Sequence, residues 1–237
     1  MDILISNNEI RLNGQSYLNI IRLSDIYEII EKDRYNSYYQ TVKARNKQIE
    51  DDRYHGIPKM NAIFYSRFAY CTTISHQLFL NEYKRVHCIR LKDGKMKFNS
   101  DNPKHQYIFY EKELDGKLLR GYMSFLKELF VLYSLIDKKI PAKYSLQADI
   151  NGFDVIAQNH NGHKYGIRIF AKTEKAQLFA KQKEEERHNY KNSSCTAIVL
   201  QAQMATEVIG DTYVFTQNQM NNLYNHIHND RYETIVL

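Results

Sequence analysis

The sequence predicts an α/β protein, and three observations carry the prediction. Residues 144–203 read in the order β-β-β-α-β, an amphipathic helix from Leu118 leads into them, and residues before that helix form strands and helices of their own. In YSLQADINGFDVIAQNHNGHKYGIRIFAKT, Asn151-Gly152 and Asn161-Gly162 separate three β-rich runs, and Asn-Gly between such runs is a strong hairpin signal. A charged, helical stretch over 174–190 follows. CTAIVLQAQ, short, apolar and β-branched, then reads as a buried strand.

Taken in order, residues 3–17 alternate loosely around Asn7-Asn8 and Asn13-Gly14 and predict a small hairpin or two short strands. Ser24 is the expected N-cap of a helix whose apolar positions Ile26, Ile29 and Ile30 recur at helical spacing, and which continues through Tyr38 and Val42 toward Ile49. The mixed charges of KARNKQIEDDR predict a solvated face there. His55-Gly56-Ile57-Pro58 marks a turn. Residues 62–83 carry Phe64, Tyr65, Phe68, Tyr70 and Phe79, and periodicity does not separate helix from strand.

VHCIRLKDGKMKF predicts a hairpin about Asp93-Gly94, and HQYIFYEKEL a strand ended by Asp115-Gly116. The helix from Leu118 carries Leu119, Tyr122, Met123, Leu126, Leu129, Phe130, Tyr133 and Ile136 at helical spacing and stops ahead of Pro141. TYVFT predicts an edge strand, residues 217–228 a polar helix and ETIVL a last short strand. No flexible linker appears, so the expected division, 1–116 and 117–237, is architectural.

With 43% apolar and 25% charged residues among 237, the chain is of ordinary globular composition, and its net charge of +6 favours a polyanionic partner. Cys71, Cys88 and Cys195 are odd in number and lie far apart with no Cys-x-x-Cys pair, so neither a disulfide framework nor a zinc ribbon is indicated and a reducing cytoplasm fits. The first apolar run is broken by polar and acidic residues, and no stretch approaches a membrane span, so neither a leader nor a membrane partner is expected. Nineteen tyrosines without a tryptophan admit base stacking, but they also fit an AT-rich coding bias. A Gly-rich phosphate loop, a Gly-x-Ser-x-Gly elbow and His-Glu-x-x-His are all missing. His160 with His163, and His226 with His228, are poor metal pairs.

The α-β-β-β-α-β order, with Asp154 of GFDVIAQ early on the second strand, resembles the PD-(D/E)XK nuclease superfamily over residues 118–224. The resemblance implies a restriction-endonuclease-like core behind an N-terminal α+β region for recognition or dimerisation. It further implies a DNA endonuclease of the restriction or mobile-element defence type, using Mg²⁺ or Mn²⁺, working as a homodimer beside a companion methyltransferase. In that family two carboxylates hold the metal and a lysine on the third strand orients the attacking water. In KYGIRIFAKT, Arg168 and Phe170 stand where the acid and lysine would be, and Lys172 shares their face one step on.

Three arrangements are open. Asp154 and Lys172 act with an acid from Glu128, Glu174 or Glu186. Alternatively, Arg168 and Lys172 grip phosphate without a metal. In the third, Arg168 and Asp154 form a structural ion pair in an inactive nucleic-acid-binding or protein-interaction module. Arg85, Arg90, Lys92 and Lys95 on the basic ribbon, with Lys175 and Lys181 on the charged helix, are the expected nucleic-acid contacts. Against them stand the protection of a sheet edge by the ribbon lysines and a solvated face for the helix.

Overall fold

Alternation of buried and outward side chains along short strands builds the larger of two sheets. The computed structural model describes residues 3–34, 43–50, 56–70, 75–150, 152–171, 195–202, 215–231, 233 and 235–237. Strands β1 (Ile3–Ser6), β2 (Glu9–Leu12) and β3 (Gln15–Leu18) form an antiparallel meander, with Ile3, Ile5, Ile10 and Leu12 buried on one face. Their turn is made by Asn13 and Gly14, both with positive φ, as an Asn-Gly hairpin requires. The expected small hairpin is thus a three-stranded one.

Helix α1 (Leu23–Arg34) starts one residue before the expected cap. The Arg22 amide donates to the Asp25 carboxylate at 2.8 Å, so the capping role falls to Asp25 reaching back, not to Ser24. The expected run to Ile49 is interrupted: residues 44–46 are not helical, and the short helix α2 (Lys47–Glu50) restarts with Asn46 Oδ1 accepting from the Gln48 and Ile49 amides. Ile49 is fully buried and Glu50 pairs with Arg120, so this stretch is no purely solvated face.

The aromatic-rich region resolves into helices α3 (Met60–Tyr70) and α4 (His76–His87), the latter capped by Ser75. Their rings form a core. Phe64 meets Tyr65, Phe79, Tyr122 and Phe125 at centroid distances of 5.2, 5.8, 5.7 and 4.8 Å. Tyr65, Tyr83, Tyr122, Tyr133, Tyr144 and Tyr165 are all fully buried, so interior contacts, not base stacking, account for these tyrosines.

Strands β4 (Cys88–Arg90), β5 (Lys95–Phe98) and β6 (Ile108–Tyr110) form a separate antiparallel sheet in the order β4-β5-β6. The β4–β5 turn is the expected Asp93-Gly94, both at positive φ. Helix α5 (Glu111–Asp137) starts directly after β6 and runs through Asp115-Gly116, where a strand end was expected. Two contacts explain this. Glu113 reaches back to the Tyr110 amide as a cap, and Lys84 neutralises Glu111 and Asp115, one helical turn apart, at 2.7 and 2.9 Å.

The remaining elements are β7 (Ala142–Ser145), α6 (Leu146–Ile150), β8 (Val155–Gln158), β9 (Lys164–Ala171), β10 (Cys195–Ala202), α7 (Gln217–His228) and β11 (Ile235–Val236). The first expected strand is shorter than its sequence run, because Ser145 caps α6 by accepting from the Ala148 amide. The second sheet order is β11-β10-β9-β8-β7-β1-β2-β3. Strands β7, β8 and β9 are antiparallel neighbours, while β10 is parallel to β9 and β11 to β10. The charged stretch 174–190 and residues 212–214 of the expected edge strand lie outside the described residues.

The chain divides into two compact units: Met1–Tyr27 with Leu126–Leu237, and Glu28–Phe125. The first holds the eight-stranded sheet, the second the aromatic helices and the small sheet. Residues 129–135 of α5 are buried on every side.

Candidate functional site

Gly152, between α6 and β8, sets the geometry of the candidate site. Gly152, at φ 86°, follows α6, and the Phe153 amide donates to Ala148 O at 2.9 Å, the closure of a Schellman-type helix end. The reversal delivers Phe153 and Asp154 to the entrance of β8. Phe153 is buried over Gly166 of β9, where a Cβ would stand only 2.3 Å from the ring, so glycine is required for this approach. The Arg168 guanidinium lies above the same ring, 5.2 Å from its centroid. Glycine, ring and guanidinium form one column on β9.

Asp154 sits where β8 meets β9. Its amide donates to Ile167 O at 2.9 Å and its Oδ2 accepts from the Ile169 amide at 2.5 Å. The side chain thus serves a ladder donor at the strand end, and the carboxylate is fixed against β9.

Helix α5 supplies the other members. Glu128 is half-buried and Lys127 almost fully buried. Burial pulls the Lys127 ammonium down to about 8, against the opposing pull of the Glu128 and Asp154 carboxylates. Two carboxylates from different elements therefore act on one desolvated lysine. Asp154 and Glu128 are the expected metal ligands, and the structure brings both into the electrostatic field of a lysine the sequence reading passed over. A signal for it existed: Lys127 stands four residues after Met123 and three before Phe130, on the helix's apolar stripe.

Two carboxylates suit a hard cation, since Mg²⁺ commonly takes one or two protein carboxylates and completes its shell with water and phosphate. The described residues contain no cluster of three or more histidine, cysteine or acidic side chains able to hold a metal by themselves. Lys172, Lys175 and Lys181, with Glu174 and Glu186, lie outside the described residues.

The expected nucleic-acid contacts of the basic ribbon divide by position and chemistry: Arg85 stands on helix α4, while Arg90, Lys92 and Lys95 belong to β4, β5 and their turn. Arg85 is engaged with Glu82, holding that carboxyl down to about 2 chiefly by hydrogen bonding, with Arg67 assisting. Arg90 Nη2 lies 3.3 Å from Glu111. Both arginines, with Lys84, line a cavity of about 400 Å³ together with Asn81, Cys88 and Met96. Its three cations are matched by Glu82, Glu111 and Asp115, which leaves little net field for an anion. Burial raises the Cys88 thiol to about 12, so it is no nucleophile at neutral pH. Lys92 and Lys95 differ: they are exposed and make no ion pair with a described residue.

Two histidines, His160 and His163, stand in the β8–β9 loop. His163 Nε2 is 2.7 Å from Thr196 Oγ1, His160 faces Asp230 at 3.8 Å, and buried Asn159 organises the turn by accepting from the Asn161 and His163 amides.

Compared with family models, curated proteins and solved structures, the chain gives no match. Among the described residues no helix is long and apolar enough to cross a membrane.

Proposed function

We propose that the chain is a DNA endonuclease of the restriction or mobile-element defence type, dependent on Mg²⁺ with Mn²⁺ as a substitute, on a restriction-endonuclease-like core. The observation that carries this reading is that the Glu128 and Asp154 carboxylates both act electrostatically on the buried Lys127, with Asp154 fixed against β9. Strand arrangement supports it: an antiparallel meander preceded by a long helix and followed by a strand parallel to its third member.

In this reading Asp154 and Glu128 hold the metal, which when bound withdraws charge from the phosphate oxygens. Lys127 is the base. Its neutral amine takes a proton from water, the water oxygen bonds to phosphorus, the P–O3′ bond breaks, and the leaving oxygen takes a proton from solvent. An amine that loses its proton at about 8 is suited to this near neutral pH. Arg168, held on Phe153, binds the non-bridging oxygens. Homodimerisation follows from the need to cut two strands, and a companion methyltransferase from the need to protect host DNA.

One observation favours a second reading. The hydrogen bond from the Ile169 amide gives Asp154 a structural duty that an inactive nucleic-acid-binding or interaction module would also need. Metal separates the two. Wild type, Asp154→Asn and Lys127→Met are incubated with unmethylated plasmid and with single strands in Mg²⁺, Mn²⁺ or chelator. Metal-dependent cutting lost in both variants supports the enzyme. Binding without cutting, unchanged by chelator, supports the module.

A further inference from the structure

The small sheet has two faces of different character. Met96, Phe98 and Phe109 are buried on one. Cross-strand pairing puts Ile89, Lys97 and Ile108 in one row of the other, and Lys95 with Tyr110 in the next. All five are exposed, Tyr110 by 47% and Ile108 by 58%. Lys95 and Lys97, two residues apart on the same face, stand about 6.8 Å apart along the strand.

Three features distinguish this face from an ordinary solvated one. First, β5 is the central strand, so its lysines protect no edge, which removes the usual reason for such residues on a small sheet. Second, Lys95, Lys97 and Lys112 form no ion pair with a described residue, and two acids beside them are engaged elsewhere, Glu111 with Lys84 and Arg90, Glu113 with the Tyr110 amide and Asn46. Third, Lys95 and Lys112 approach the Tyr110 ring at 6.0 and 5.9 Å, leaving an exposed aromatic plane flanked by uncompensated cations.

We propose that this face binds single-stranded nucleic acid, with a base stacked on Tyr110 and phosphates neutralised by Lys95, Lys97 and Lys112. Aromatic surface between cations suits an unpaired strand, whose bases offer their π-faces, better than a duplex, whose bases are stacked on one another. The inference rests on the reading that nucleic acid is the substrate, and it gives the two sides of the ribbon separate duties. Lys95 and its neighbours face the strand. Arg85, on α4, and Arg90 are instead ion-paired to Glu82 and Glu111 around the cavity.

The test measures fluorescence anisotropy of a labelled oligodeoxythymidylate of about twelve nucleotides, and of a duplex of equal length, in chelator at several salt concentrations. Expected is a preference for the single strand, weakened about 5- to 150-fold by Tyr110→Ala and retained by Tyr110→Phe. Lys95→Ala with Lys97→Ala flattens the log–log salt slope by about 1.4. Circular dichroism of each variant confirms that these surface changes leave the fold intact.

The proposal is overturned if the wild type does not bind the single strand, if the duplex binds as tightly, or if the Tyr110 and lysine variants bind unchanged. Plasmid cutting with the same preparations separates this failure from that of the nuclease reading: metal-dependent cutting with any of those binding results refutes the face alone.

Discussion

Replacing Lys127 by methionine is expected to make the protein more stable while abolishing its activity. Lys127 is 8% exposed, and burial brings its ammonium from 10.5 to about 8. At about 1.4 kcal/mol per pH unit, the charged side chain costs the fold about 3 kcal/mol at neutral pH, after the favourable pull of Glu128 and Asp154. Methionine fills a similar volume without the charge. Because the folded lysine holds its proton less tightly than the unfolded one, wild-type stability contributed by this group rises with pH between about 8 and 10.5. The variant's advantage therefore shrinks across that window. Urea unfolding at pH 7 and pH 10 reads both quantities. A variant less stable than wild type at pH 7, with a difference independent of pH, would refute the reasoning and make Lys127 a compensated structural residue.

Other expectations follow from the same contacts. Gly166→Ala puts a methyl 2.3 Å from the Phe153 ring and should cost about 1–3 kcal/mol in unfolding free energy; an unchanged urea midpoint would show that the Phe153–Arg168 column is adaptable. Burial lowers the affinity of His226, His87 and His105 for protons, so below pH of about 6.5 the unfolded chain takes them up first and stability falls. His226→Gln should flatten part of that acid limb in a pH series of melting temperatures, and an identical limb would exclude His226 as a contributor. If Lys127 is the base, kcat/KM for cutting rises with pH and levels near about 8, where its ammonium loses its proton; a profile that falls through the same range would assign the ammonium, not the amine, to catalysis.

Much of the architecture is legible in local chemistry. Asn13-Gly14 and Asp93-Gly94 need positive φ, and both turns stand where the sequence puts them. The buried strand Cys195–Ala202 and the polar helix Gln217–His228 match their composition. What misled was long-range. Glu111 and Asp115 look like the end of a strand until Lys84, distant in sequence, neutralises them and lets the helix begin early. Ile49 reads as part of a charged surface until its burial is seen. The site shows the same limit. Asp154 stands out by its position before β8, and the sequence leaves the second acid open among Glu128, Glu174 and Glu186. Lys127 escaped because a lysine on an apolar stripe reads as an interruption, and only the fold reveals that it is desolvated beside two carboxylates.

The most direct measurement of the central claim is cutting of unmethylated plasmid in Mg²⁺ by wild type, Glu128→Gln, Lys127→Met and Lys172→Ala side by side. The account predicts that wild type cuts, that the Glu128 and Lys127 variants do not while remaining folded, and that chelator stops the reaction. Wild type that leaves the DNA intact in every metal, or a Lys127→Met protein that cuts like wild type, would contradict it.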